Sequence, residues 1–378
     1  MRRQRADVAI VGAGILGLAH AWSAAAKGRS VVLFERSQNA DGASVRNFGL
    51  VWPVGQSAGA NHDLALRSRE MWMSVLDQAR LPYCASGSLH LAYREDEAEV
   101  SREFAAIGPK LGFDCRWLTS EEATARSQTV QSRHLLGALW SPTELNLDSR
   151  KVVDRLPIFM AEQKGVQLRF STTVRSIDLP WIDTAEERWE VSAAIVCSGD
   201  DLQTLYPQLL GSSGLIRSKL QMMRTVHQPL GWSLGPALAA GLTLRSYPAF
   251  AVCSSLDRLK KRFAEETPEY DRWGIHVLVA ETTERDLTIG DSHEYGCLAD
   301  SGHNPEIDRL ILDYAGTFLR VPTLEIARRW VGMYVKHPVL PFASMDAAPG
   351  VRIVTGAGGA GMTLAFGIAE RTTAGMGL

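Results

Sequence analysis

Residues 6–36 read ADVAIVGAGILGLAHAWSAAAKGRSVVLFER, and no other stretch of this 378-residue chain limits the fold as strongly. Val8 to Val11 make a short apolar run of the kind buried on both faces of a parallel sheet. Gly12, Gly14 and Gly17 follow in the spacing G-x-G-x-x-G. The first glycine permits a tight turn, the second lets backbone approach a pyrophosphate, and the third lets a helix pack closely on the strand. Residues 15–27 are alanine-rich and predict that helix, whose N-terminus would point free N–H groups at phosphate. Gly28 ends it, and residues 30–34 predict a second strand. Glu35 then stands roughly 20 residues beyond the glycines, where a carboxylate receives a ribose hydroxyl and repels a 2′-phosphate. The arrangement specifies a dinucleotide other than NADP and leaves NAD and FAD both open.

A chain of this length exceeds one ordinary core, so two domains are expected. The 40 basic and 42 acidic residues nearly cancel and form no long single-sign block, which gives no reason to expect nucleic acid or a membrane surface as partner. The five cysteines, Cys84, Cys115, Cys197, Cys253 and Cys297, include no C-x-x-C pair, and an odd count fits reduced thiols. No metal site is expected. Arg2, Arg3 and Arg5 precede an apolar run in the manner of a signal peptide, but the glycines place that run in the nucleotide motif, and a cytoplasmic location is expected.

Three later segments bear on the choice of dinucleotide. Residues 41–53, DGASVRNFGLVWP, form a polar loop rich in small residues, suited to lying along an extended cofactor where an NAD enzyme would normally place a helix and a third strand. Residues 193–201, AAIVCSGDD, carry a buried strand into Ser198–Gly199, where backbone could again approach a nucleotide. Residues 350–370, GVRIVTGAGGAGMTLAFGIAE, carry a strand into four glycines and a helix starting near Met362, a second helix N-terminus fed by exposed amides.

In that order of motifs the chain resembles the D-amino-acid oxidase, glycine oxidase and sarcosine oxidase group of FAD enzymes. The resemblance implies an α/β fold. An FAD-binding Rossmann-like domain of the glutathione-reductase type would comprise residues 1–82, 145–215 and 325–378. A mostly antiparallel β-sheet substrate domain with helices would comprise 83–144 and 216–324. It implies that Gly12, Gly14, Ile15, Leu16, Gly17 and Glu35 hold the ADP half of a noncovalent FAD. Arg36, Ala43, Ser44, Arg46, Asn47, Phe48 and Gly49 would continue toward the ring, with Ser198 and Gly199 nearby. Val174 matches a position that meets adenine through its backbone. Gly359, Gly361, Met362 and Thr363 match the loop over the flavin pyrimidine edge, where a helix N-terminus stabilises the charge that appears on reduction.

The shared reaction of the group removes hydride from the carbon beside an amine, and the resulting imine is hydrolysed. In the amino-acid oxidases a Trp-x-Gly-x-Arg segment supplies an arginine to the substrate carboxylate. Here the segment reads Trp330, Gly332, then Tyr334, so the planar fork is missing. The segments GASVRNFGLVWP, GSLHLAYREDE and LTIGDSHEYG resemble a subgroup proposed to act on aminophosphonates. That resemblance implies oxidation of a 2-aminoethylphosphonate-like amine, 1-hydroxylated or N-methylated forms included, to a phosphonoaldehyde. Oxygen or another electron acceptor would complete the cycle. Candidates for the substrate pocket are Tyr334, Arg245, Tyr247, His276, His293, Lys336, His337 and His90. The alternative is a glycine, sarcosine or D-amino-acid oxidase or dehydrogenase, with an arginine supplied from elsewhere.

Overall fold

The computed structural model describes residues 2–296 and 302–378; Cys297 lies outside them. Its first framework is a six-stranded sheet in the order Gln167–Arg169, Val31–Phe34, Val8–Val11, Ala193–Val196, Val351–Thr355, Ala343–Ala348. The first five strands run parallel, and the last pairs antiparallel at the edge. Strands from the beginning, middle and end of the chain are therefore neighbours, and every turn leaving the C-terminal edge of the sheet can contribute to one crevice.

The period-2 geometry of the strands explains why both faces are apolar. Val8, Ile10, Leu33, Ile195 and Val354 face the helices Ile15–Ala26, Ala60–Ala79, Ser149–Lys164 and Gly361–Gly375. Ala9, Val32, Phe34, Ala194, Val196 and Ile353 face a small four-stranded sheet, packing on Ile182 and Trp189. The N-terminal arginines are part of that small sheet: Arg2–Arg5 pairs parallel with Glu187–Glu190. The helix expected from residues 15–27 is Ile15–Ala26, and it is buried on most of its surface, as its alanines allow. The helix Ala60–Ala79 begins directly after Gly59, whose φ of +80° suits glycine.

The second framework is a nine-stranded sheet. Its pairs are antiparallel except for Ser88–Ala92 with Ala237–Ala240. Helices Glu95–Ile107, Leu256–Glu266 and Pro305–Phe318 bury apolar residues in one core with it. The strand Ile326–Lys336 pairs along its length with Ile216–Thr225. The expected division at residue 325 assigns that strand to the cofactor domain, yet its hydrogen bonds run to the second sheet. It is the bridge that brings the second sheet to the C-terminal glycine loop. A further bridge, Lys336 to Ala357, ties the two together.

Candidate active site

The site begins where Val8–Val11 ends. Gly12 has φ +101°, and a Cβ there would lie 2.3 Å from the carbonyl oxygen of Cys197. At Gly17 a Cβ would lie 1.7 Å from the carbonyl oxygen of Gly12, so the helix can approach the turn only through hydrogen. Gly17 is therefore a packing residue and does not line the cavity. Glu35 is buried, with Oε2 accepting the N–H of Ala13 at 2.9 Å and Oε1 accepting that of Ser37 at 3.0 Å. Its carboxylate thus clamps two turns while remaining at the cavity wall.

One cavity continues from this turn to the C-terminal loop. Gly12, Gly14, Ile15, Leu16, Glu35 and Arg36 line it, as do Ala43, Ser44, Arg46, Asn47 and Phe48. So do Val174, Ser198, Gly199, Gly359, Gly361, Met362 and Tyr334. The loop 41–53 is shaped by Asn47, whose amide donates to the carbonyls of Ala43 and Ser44 and accepts the Gly49 N–H. The Ser44 hydroxyl accepts the Ile15 N–H at 2.9 Å, at the start of the helix. Val174 has neither its N–H nor its C=O engaged among the described residues, which leaves a backbone edge for a base. Arg36 is paired with Asp201 at 2.7 Å. Two residues expected here are elsewhere. Gly49 serves the close approach of its loop to the Leu147 carbonyl, where a Cβ would come within 1.8 Å. The Thr363 hydroxyl turns inward and accepts the Trp52 N–H at 2.9 Å.

The nine-stranded sheet meets this cavity through Tyr334. The ring lies beside Gly358, and its hydroxyl is 3.9 Å from where a Cβ on Gly359 would stand. Behind it runs a continuous wall of rings. Tyr334 is 6.3 Å from His293, His293 stacks on His276 at 5.0 Å, and His276 is 5.7 Å from Tyr247. Burial pushes the phenols of Tyr334 and Tyr247 up, so both stay protonated as donors. Burial also holds His276 well below the usual histidine range.

Four of the eight substrate candidates are engaged in other work. Arg245 pairs with Asp271, donates to the Ile275 carbonyl and lies over Phe263, so its fork is occupied away from the cavity. His90 is fully buried between Trp52 and Phe250, and burial holds it down at about 3. Lys336 rests its ammonium on the Tyr295 ring. His337 accepts the N–H groups of Val339 and Leu340 and caps a turn.

Sequence reasoning missed Asp291. It lines the cavity, and its oxygens lie 3.2 Å from His276 Nε2 and 3.6 Å from His293 Nε2. The three donor atoms all fall within 4.8 Å of one another, close enough to hold a cation, whereas no metal site is expected from the motifs. Each carboxylate oxygen faces a different imidazole, an arrangement suited to proton exchange. The signal available in the sequence was the spacing Asp291-x-His293, two ionisable side chains on one face of an extended segment.

The comparisons agree with this geometry. The model of the FAD dependent oxidoreductase family, DAO, matches residues 7–374, and the chain belongs to that family. FAD is accordingly its cofactor. Among curated relatives, a glycine oxidase of Geobacillus kaustophilus (strain HTA426) is 25% identical over 207 residues, 52% of this chain; the match spans only 55% of that relative's own length. A subunit of the opine oxidase of Agrobacterium tumefaciens (strain Ach5) is 23% identical over 350 residues, 87% of this chain and 82% of that protein. Among solved structures, glycine oxidase from Geobacillus kaustophilus superimposes with a TM-score of 0.77 at 20% identity, covering 99% of this chain and 94% of the other. Iminodiacetate oxidase from Chelativorans sp. BNC1 gives 0.71 at 19% identity, covering 98% and 94%. Among the described residues no helix is long and apolar enough to cross a membrane.

The residues present fit FAD. Beside Gly14 the backbone leaves space limited only by the Ser44 hydroxyl, 3.2 Å from where a Cβ would stand, and nothing crowds Gly361. Together with the open backbone of Val174, these positions form a small-residue cradle along the cavity, as a dinucleotide needs.

Proposed function

We propose that this protein oxidises the C–N bond of a small aminophosphonate of the 2-aminoethylphosphonate type. Gly12, Gly14, Ile15, Leu16 and Glu35 would hold the adenosine half of FAD, with Val174 against the base. Ser44, Asn47, Phe48, Gly359, Gly361 and Met362 would flank the remainder, without a covalent link, since residues 330–349 contain no cysteine. FAD, when bound, supplies the hydride acceptor. The chain's own side chains orient the amine-bearing carbon and exclude water while the imine forms. The imine then takes up water to give a phosphonoaldehyde and the free amine. Oxygen or another acceptor restores the oxidised cofactor.

The observation that carries the reading is Tyr334. Its hydroxyl stands at the cavity beside the C-terminal glycine loop, where an amino-acid oxidase would place arginine. A single hydroxyl there lacks the planar fork that matches the two oxygens of a carboxylate, which favours an anion of another shape. The names of the relatives, glycine oxidase above all, favour a second reading in which the substrate is an amino acid. The two are separated by titrating the holoenzyme with ethylphosphonate and with propionate and following the flavin spectrum. Tighter binding of ethylphosphonate supports the phosphonate reading, and tighter binding of propionate supports the amino acid.

A further inference from the structure

We propose that Asp291 is the base that takes the proton from the substrate's ammonium group before the carbon–hydrogen bond breaks. The inference rests on the reading that the cavity receives a small amine. It does not require that the amine carry a phosphonate.

The position of the carboxyl is fixed by backbone. Asp291 and His276 exchange N–H···O=C bonds, at 2.8 Å and 3.1 Å, which sets their side chains opposite one another on the sheet. The Asp291 side chain is buried and lines the cavity, and its Oδ1 makes no hydrogen bond among the described residues, although His276 Nε2 stands 3.2 Å away. An unpaired buried carboxylate oxygen is costly unless a ligand supplies a donor. Oδ2 faces His293 Nε2, and the other nitrogen of that ring, Nδ1, lies 3.0 Å from the Gly274 carbonyl oxygen. That carbonyl can only accept, so the ring proton sits on Nδ1 and the Nε2 lone pair faces Asp291.

The ammonium N–H bond breaks with its electron pair remaining on nitrogen, and an O–H bond forms on Asp291. The freed nitrogen lone pair would then form the second bond of an iminium ion as the α-hydrogen leaves with its electron pair, for which bound FAD would supply the acceptor.

The groups that face Asp291 are His276 and His293, with Tyr247 and Tyr334 beyond them. Arg245 acts on His276 from behind, and the Lys219–Glu294 pair and Tyr295 lie on adjoining strands. Burial raises the Asp291 carboxyl to about 6, against a smaller opposing pull from His293. It is thus ionised at neutral pH yet more basic than an ordinary aspartate.

The test uses the holoenzyme and whichever of 2-aminoethylphosphonate, its N-methyl derivative, glycine or sarcosine bleaches the wild-type flavin fastest without oxygen. The wild-type rate at low substrate is expected to fall below about pH 6 and to level above it. Asp291→Asn should keep FAD and keep its affinity for ethylphosphonate, lose about 100-fold in rate at pH 7, and rise continuously with pH as free amine becomes available. Asp291→Glu should restore the acid limb at a lower rate. An Asp291→Asn enzyme with the wild-type profile at reduced amplitude would show a purely structural role and overturn the proposal. Stoichiometric divalent metal in the purified protein would overturn it too. A wild type bleached by glycine or sarcosine but by neither phosphonate removes the phosphonate reading alone. A wild type bleached by no amine removes both.

Discussion

Tyr334 and Arg245 are both candidates in the sequence for the substrate pocket, Tyr334 through its place in the family motif, and their surroundings separate them. Tyr334 reaches the cavity beside the glycine loop, whereas the Arg245 guanidinium is tied to Asp271 and the Ile275 carbonyl. Tyr334→Phe is therefore expected to raise the Kd for ethylphosphonate by about 5- to 10-fold, the worth of one hydrogen bond. Stopped-flow bleaching should show the same loss in substrate affinity. Arg245→Ala is expected to leave that Kd within about 2-fold and to cost about 1–2 kcal/mol in urea unfolding, because its loss removes a partly buried ion pair and a cover for Phe263. The glycines of the first turn were legible in the sequence because steric exclusion leaves no other residue type there. Asp291 was not legible, because its meaning comes from His276, a partner on another strand, and strand register is invisible to a local motif. His90 misled for the converse reason: a histidine in an apolar strand reads as functional until Trp52 and Phe250 are seen to enclose it.

At the scale of elements, the cofactor site depends on helices brought unusually close to the sheet and to one another. The helix Ile15–Ala26 approaches the Gly12 turn through Gly17. Gly367, in the helix Gly361–Gly375, stands against Leu64 of Ala60–Ala79 with room for no more than hydrogen. Gly17→Ala should push its helix away from the turn. The expected cost is about 1–3 kcal/mol, with FAD affinity falling at least about 10-fold, measured by urea unfolding and by flavin fluorescence. Wild-type FAD affinity in that variant would show that the helix N-terminus does not set the cofactor's position. Short unbroken apolar runs made the central strands of the parallel sheet readable. The partner of Ile326–Lys336 was not readable, because a long strand of mixed polarity carries no local sign of which sheet will accept it.

For the whole molecule, two interiors built on separate sheets share one cavity between them, and both bury histidines. Burial holds His20 at about 4 and His90 at about 3, against an ordinary value of 6.5. The unfolded chain therefore binds more protons than the folded one between pH 6.5 and about 3, and stability falls as pH drops through that window. His90→Phe, which keeps a ring against Trp52 and Phe250, should flatten the fall across the whole window by about 5 kcal/mol in urea titrations at successive pH values. Asp291 acts in the opposite sense between its unfolded value of 3.8 and about 6, where the folded state binds the extra proton. The central claim is that the cavity presents an amine-bearing phosphonate to FAD. Anaerobic bleaching of the holoenzyme by 2-aminoethylphosphonate, its N-methyl and 1-hydroxy derivatives, glycine, sarcosine and D-alanine measures that directly. The account predicts that a phosphonate reduces the flavin at least about 10-fold faster than any carboxylate at equal concentration, the worth of one added charge-assisted hydrogen bond. Faster reduction by glycine, sarcosine or D-alanine would contradict it.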